Sequence, residues 1–410
     1  MVNFERFTLS NGLRVVIHRD PSTPIAALNV LYNAGSRVED PSRTGMAHLF
    51  EHLMFSGSQH VDDFDEAIQH AGGDANAFTN SDITNFYDML PVENLETALW
   101  LESDRMMGLE LSEEEIDVQK KVVIEEFKET CLDQPYGNLW HLMAGLAYTK
   151  HPYRWPTIGL APEHIAAVEA QHLRDHFSTW YRPNNAILAI AGDIQPDKIM
   201  PRVEAWFGSI PSGPAIITPT YFEPEQLARR ELTDRNNVPV ESLYMGFHCP
   251  GRMDPGYYAT DLLTDILANG PSSRLYRRLV MEKELFSHID CYQNGTFDPG
   301  MILIEGKPTP GISLEAAEAA IWHELLDLTQ YGIPEKELTK IKHKNEAAIA
   351  FSQVSVIHKA MNLAYFEWMD DASLINREID AYQAVTVNDI RETAFQLFQP
   401  DKANVVFYRK

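Results

Sequence analysis

The period of apolar and polar positions changes repeatedly along the chain, and each change marks an element. Phe7 to His18 carries a Ser10-Asn11-Gly12 turn between two strand-like runs, which predicts a hairpin. Ile25 to Tyr32 reads as an apolar strand, and Asp74 to Leu90 as strands rich in Thr, Asn, Phe and Tyr. Between them the period is helical: Met46, Leu49, Phe50, Leu53 and Met54 fall on one side, with Thr44 the expected N-cap and Gly57 the expected stop. A further helix is expected from about Val61 to Ala71, ending at Gly72-Gly73. Long amphipathic helices should occupy roughly 93–110 and 113–130, the second opening with a capping box at Ser112 and Glu115.

Ala186 to Ala191 is a continuous apolar run, as expected of a buried strand, and a helix should end near Phe207. From Pro211 to about Arg230 the chain is rich in Pro and Gly and loses periodicity, the signature of a linker. The plan then returns. A strand (Leu243 to His248), helices (Tyr257 to Leu267 and Arg274 to Leu285) and a strand (Met301 to Glu305) lead to helices near 314–331 and 335–352 and a closing strand from Asn404 to Tyr408. The expectation is an α+β protein of two homologous domains, each a mostly antiparallel sheet packed against helices on one face. The N-terminal domain should span 1–212, a linker 213–234, and the C-terminal domain 235–410.

Composition narrows the function. With 34 basic against 59 acidic side chains, the formal charge of −25 argues against a nucleic-acid partner, which needs a basic footprint. Cys131, Cys249 and Cys291 are too scattered for a disulfide framework or a cysteine zinc site. No run approaches the 18 or so apolar residues of a membrane span. The start, Met1 to Arg6, lacks a basic segment followed by an apolar one, so a cytoplasmic protein is expected, or a periplasmic one if a signal peptide has been removed.

The chemistry concentrates in Met46 to His52. His48, Glu51 and His52 lie within roughly 100° of helical arc, opposite the apolar side. Histidines at i and i+4 can reach one metal ion from adjacent turns, and the carboxylate between them can serve a metal-bound water without being a ligand. This is the H-x-x-E-H order of the inverzincins. A solvated helix face is the bland alternative, but Phe50, Leu53, Met54 and Phe55 are too apolar for one. Two histidines do not complete a zinc site, and the third ligand is sought in the acidic helix that carries Glu125, Glu126 and Glu129.

With that pairing the chain resembles the M16 (insulinase/pitrilysin-type) zinc metallopeptidases, in the short two-domain branch that includes mitochondrial processing peptidase. The resemblance runs along nearly the whole sequence: Ser10 to Leu13, Asn33 to Ser36, Thr44 to Ala47, Gly72 to Thr79, Tyr181 to Asn185, Gly192-Asp193 and Gly270 to Leu275. It implies one Zn²⁺ per chain, held by His48, His52 and Glu126, the last picked by matching Val122-Val123-Ile124-Glu125-Glu126 to a V-V-x-E-E helix. Glu51 becomes the general base. Asn76, Ala77 and Phe78 become the strand edge that pairs with a peptide substrate.

Two departures stand out. An acidic residue often found seven positions before the third ligand is Gln119 here, leaving an amide beside the site. The Arg/Tyr pair of the second domain reads Val280 and Ser287, neither able to serve a developing oxyanion as Arg or Tyr would. The resemblance therefore implies a heterodimer, with a homologous subunit supplying that pair. The alternatives are a homodimeric peptidase lacking the pair, or a non-catalytic scaffold subunit.

Overall fold

A computed structural model describes residues 1–216, 220–235 and 238–410. The first sheet contains β1 (Glu5–Thr8), β2 (Arg14–Arg19), β3 (Ile25–Tyr32), β4 (Asp74–Thr79), β5 (Thr84–Pro91) and β6 (Ala186–Gly192), in the order β1-β2-β6-β3-β5-β4. The second contains β7 (Arg230–Arg235), β8 (Ser242–Cys249), β9 (Phe286–Asn294), β10 (Gly300–Pro308) and β11 (Asn404–Arg409), in the order β7-β11-β8-β10-β9. The α+β class is as expected, and the two sheets repeat each other. Each has one parallel pair, β2 with β6 and β7 with β11, and the other pairs are antiparallel. Element for element, β4 of the first sheet corresponds to β9 of the second, and each sits at an edge.

The chain forms two compact units that are not contiguous in sequence. One holds Met1–Phe127, Pro156–Thr220 and Ile349–Arg377; the other holds Lys128–Trp155, Tyr221–Ala348 and Glu378–Lys410. The simple division into 1–212 and 235–410 misses this exchange. Its physical reason is that each sheet is apolar on both faces. In the first unit Val15, Ile17, Leu28, Val30, Leu188 and Ile190 belong to the core that includes Leu49, Phe50 and Leu99. Val16, Ala27, Leu31, Ile187 and Ala189 are also buried. The late helix Val356–Met369 packs across β2, β3 and β6. In the second unit the early helix Leu139–Ala147 plays the matching part against β7, β8 and β11.

The hairpin, β3, β6 and the helices Leu314–Tyr331 and Glu335–Ser352 lie where periodicity put them. Arg274 to Leu285 does not form an ordinary helix. A wide-turned π-helix covers Tyr276–Glu282, Glu284 takes a φ of 52°, and the chain enters β9 at Phe286. β7 also fell within the expected linker, because Arg230-Glu231-Leu232-Thr233-Asp234-Arg235 is mostly charged, which an edge strand tolerates. Part of that linker, residues 217–219, lies outside the described residues.

Candidate metal centre

The helix Met46–Leu53 presents the H-x-x-E-H residues. Ala47, Leu49, Phe50 and Leu53 are buried, and Phe50 packs against Tyr181 with ring centroids 4.3 Å apart. Its start differs from expectation. Gly45, not Thr44, is the N-cap, at φ 89°, where a Cβ would lie 2.4 Å from Ile165 Cδ1 and 2.7 Å from Ile158 O. Thr44 is instead a buried brace, its hydroxyl accepting the Leu160 N–H at 2.8 Å and lying 2.8 Å from His164 Nδ1. The free N–H groups of the first turn go to Glu39, whose carboxylate accepts from Gly45 at 2.9 Å and Ala47 at 2.7 Å. Burial pushes the Glu39 carboxyl up to about 8, against those backbone donors, which favour its charged form. The helix ends at Leu53, so Gly57 lies beyond the cap at Met54.

The helix Glu113–Phe127 brings the third group, and its start has the expected capping box. Ser112 Oγ accepts the Glu115 N–H at 3.2 Å, and Glu115 Oε2 accepts the Ser112 N–H at 3.4 Å. Glu126 Oε2 lies 3.8 Å from His48 Nε2 and 3.5 Å from His52 Nε2, and the two imidazole nitrogens are 3.4 Å apart. A point equidistant from those three atoms is about 2.1 Å from each, the bond length zinc takes to imidazole nitrogen and carboxylate oxygen. The donor set therefore fits a zinc ion without rearrangement. Among the described residues these three are the one cluster of histidine, cysteine and carboxylate groups close enough to hold a metal. Glu125 and Glu129 are exposed and do not join it.

Electrostatics suit the same purpose. Burial lowers the pKa of His48, keeping the imidazole neutral, the form that offers a lone pair to a metal. The hydrogen bond with His52 holds the Glu126 carboxyl below its ordinary value. Glu51 goes the other way: burial raises it, against the opposing influence of the nearby Thr79 hydroxyl and backbone N–H. Two carboxylates in one site are thus driven apart in acidity, one towards permanent charge and one towards proton exchange.

Thr79 ends β4 and donates its hydroxyl to Thr84 Oγ1 at 3.3 Å, so Glu51 lies close to the end of the edge strand. Asn76, Ala77 and Phe78 lie on β4, which pairs with β5 on one side and, among the described residues, has no strand on the other. Asn76 and Phe78 are exposed, while Ala77 packs on the core. Gln119 sits two turns before Glu126, half-buried. In the second unit Val280 lies in the π-helix, and Ser287 donates its hydroxyl to the Lys307 carbonyl at 3.0 Å. Sequence reasoning missed Glu39 and Thr79. Thr79 stood inside a quoted segment, but nothing in the pattern paired it with Glu51; Glu39 reaches the helix across a loop whose path no periodicity reveals.

Comparison with known proteins places the chain in a family. Residues 14–144 match the family described as Insulinase (Peptidase family M16), and residues 167–345 match the Peptidase M16 inactive domain. The chain belongs to the M16 peptidase family. Its M16 relatives include the zinc protease PqqE of Helicobacter pylori, 29% identical over 99% of this chain and 92% of that protein. Another is the uncharacterized zinc protease YmxG of Bacillus subtilis, 28% identical over 97% of each. The crystal structure of a protease from Helicobacter pylori superposes with a TM-score of 0.95 at 29% identity, covering all of both chains. His48, Glu51, His52 and Glu126 fall within the first matched region, and Val280 and Ser287 within the second.

Proposed function

We propose that this chain is the zinc-bearing subunit of an endopeptidase that cleaves short or unfolded peptides. The observation that carries the reading is the triangle of His48 Nε2, His52 Nε2 and Glu126 Oε2, with Glu51 beside it on the same helix. A zinc ion held there would supply Lewis acidity, which makes water far easier to deprotonate near neutral pH. His48 and His52 would hold it through Nε2 and Glu126 through its carboxylate. Glu51, with its acidity weakened by burial, takes a proton from the attacking water at its carboxylate oxygen and returns it to the leaving amine. A substrate adding as a strand along Asn76 to Phe78 would lie beside Thr79, and so beside Glu51, with backbone pairing supplying affinity at little cost in side-chain selectivity.

Val280 and Ser287 favour a split site. Neither side chain can stabilise an oxyanion in the way an Arg/Tyr pair does, so a homologous subunit would supply that pair in a heterodimer. The decisive experiment measures zinc content and peptide hydrolysis for the chain alone and with a homologous chain that carries the pair. About one zinc per chain, with hydrolysis only after mixing, supports the reading. Full activity of the chain alone would favour a homodimer, and absence of zinc would favour a scaffold.

A further inference from the structure

The second unit carries a cavity of about 290 Å³ whose lining shares no residue with the metal centre and includes Tyr148, His151, Tyr221, Phe222, Glu223 and His248. Five of these six side chains are rings. Tyr148 and His248 stack with centroids 4.8 Å apart and planes 18° from parallel. His151 meets Tyr148 at 5.8 Å and Tyr221 at 5.5 Å, and Phe222 stays 76% exposed while lining the space.

The sixth is a carboxylate with unusual bonding. Glu223 Oε1 accepts the N–H and hydroxyl of Thr149 at 2.8 and 2.7 Å. Its Oε2 accepts the backbone N–H groups of Lys150 and His151 at 2.8 and 2.9 Å. Four donors hold the group ionised and fill the roughly four acceptor positions a carboxylate possesses. No cationic side chain among the described residues forms an ion pair with it. Lys402 also lines the cavity, its ammonium donating to Gln396 O at 3.1 Å, and is outnumbered by Glu223 and the exposed Glu225.

A fixed negative charge with no hydrogen-bonding capacity left, set among ring faces, discriminates between cations. A primary ammonium or guanidinium would enter with N–H donors that Glu223 cannot accept, leaving them to the exposed Glu225 or unmet, and unmet donors are costly to desolvate. A quaternary ammonium brings charge and methyl groups but no donors, and aromatic faces attract it through their quadrupoles. At about 290 Å³ the space lies at the lower limit of small-molecule pockets, about 300 Å³, which suits a ligand the size of choline. We infer that this cavity binds the quaternary ammonium group of a small organic cation. The alternative is that Glu223 only pins the linker to the bend at Thr149.

The test is calorimetric titration of the full chain with choline and with dimethylbutanol, its neutral carbon isostere. Choline should bind saturably and at least about tenfold more tightly than the isostere. Glu223→Gln should abolish that preference. Phe222→Ala, at an exposed position on which folding does not depend, should weaken choline severalfold and keeps the test sound if Glu223→Gln unfolds. Equal affinity for both compounds, tighter binding of guanidinium, or no saturable choline binding up to about 0.1 M overturns the inference.

Discussion

The carboxylate of Glu39 accepts the backbone N–H of Ala47 at 2.7 Å, which anchors the start of the helix one residue before His48. Both partners are buried, so the bond has no water to replace it. Glu39→Ala should therefore destabilise the protein by about 2–4 kcal/mol, because it strands two helix N–H groups. Zinc affinity should fall with it, and Glu39→Gln should cost less. Chemical denaturation and competitive zinc titration read both effects, and an unchanged zinc affinity would show that the cap does not position His48.

Substitutions at the two carboxylates of the site should separate binding from chemistry. Glu51→Gln should retain zinc but lower peptide hydrolysis by about 10²–10⁴-fold, the usual contribution of a general base. Glu126→Gln should lose both metal and activity. Metal analysis of purified variants alongside a peptide assay distinguishes the two, and turnover at full rate by the Glu51 variant would remove that residue from the mechanism.

Zinc should also act as a stabilising ligand. At a free concentration of 100 times its dissociation constant it should add about 2.7 kcal/mol to the unfolding free energy, through binding to the native state alone. Chelation should reverse the gain while leaving the far-ultraviolet circular dichroism spectrum unchanged, because the surrounding core is apolar and extends far beyond the three ligands. His48→Ala should show no such response in a thermal melt.

Acid stability should carry the mark of His176. This side chain is buried against Phe50, 5.3 Å between centroids, its Nε2 has no hydrogen-bond partner among the described residues, and burial lowers its pKa to about 4. The unfolded chain binds this proton below its ordinary value of about 6.5, whereas the folded chain refuses it until about pH 4. The contribution is thus complete above about pH 6.5 and is lost as pH falls towards 4, amounting to about 3 kcal/mol. His176→Leu should flatten that part of the stability curve relative to the parent. An identical slope in both proteins would mean that His176 takes up its proton in the folded state.

Much of the site was legible because its signals are local. His48, Glu51 and His52 share one short helix, and the capping box at Ser112 fixes where the helix bearing Glu126 begins. The choice of Glu126 over Glu125 and Glu129 needed the family resemblance, since a helix face alone does not say which carboxylate meets a partner sixty or more residues away in sequence. β7 was hidden by its charge and β9 by the polar start Ser287-His288, both consequences of lying at a sheet edge. The exchange of Lys128–Trp155 and Ile349–Arg377 between units was invisible because pairing of a helix with a distant sheet leaves no periodic trace.

That exchange has a consequence for anyone who would dissect the protein. The helix Val356–Met369 lies more than a hundred residues beyond the linker, yet it covers the apolar back of the first sheet. A fragment ending at the linker would expose Val16, Ala27, Leu31 and Ile187 to water and should aggregate on expression. The unit that carries His48, His52 and Glu126 should therefore be obtained folded only as part of a chain that runs on through Arg377.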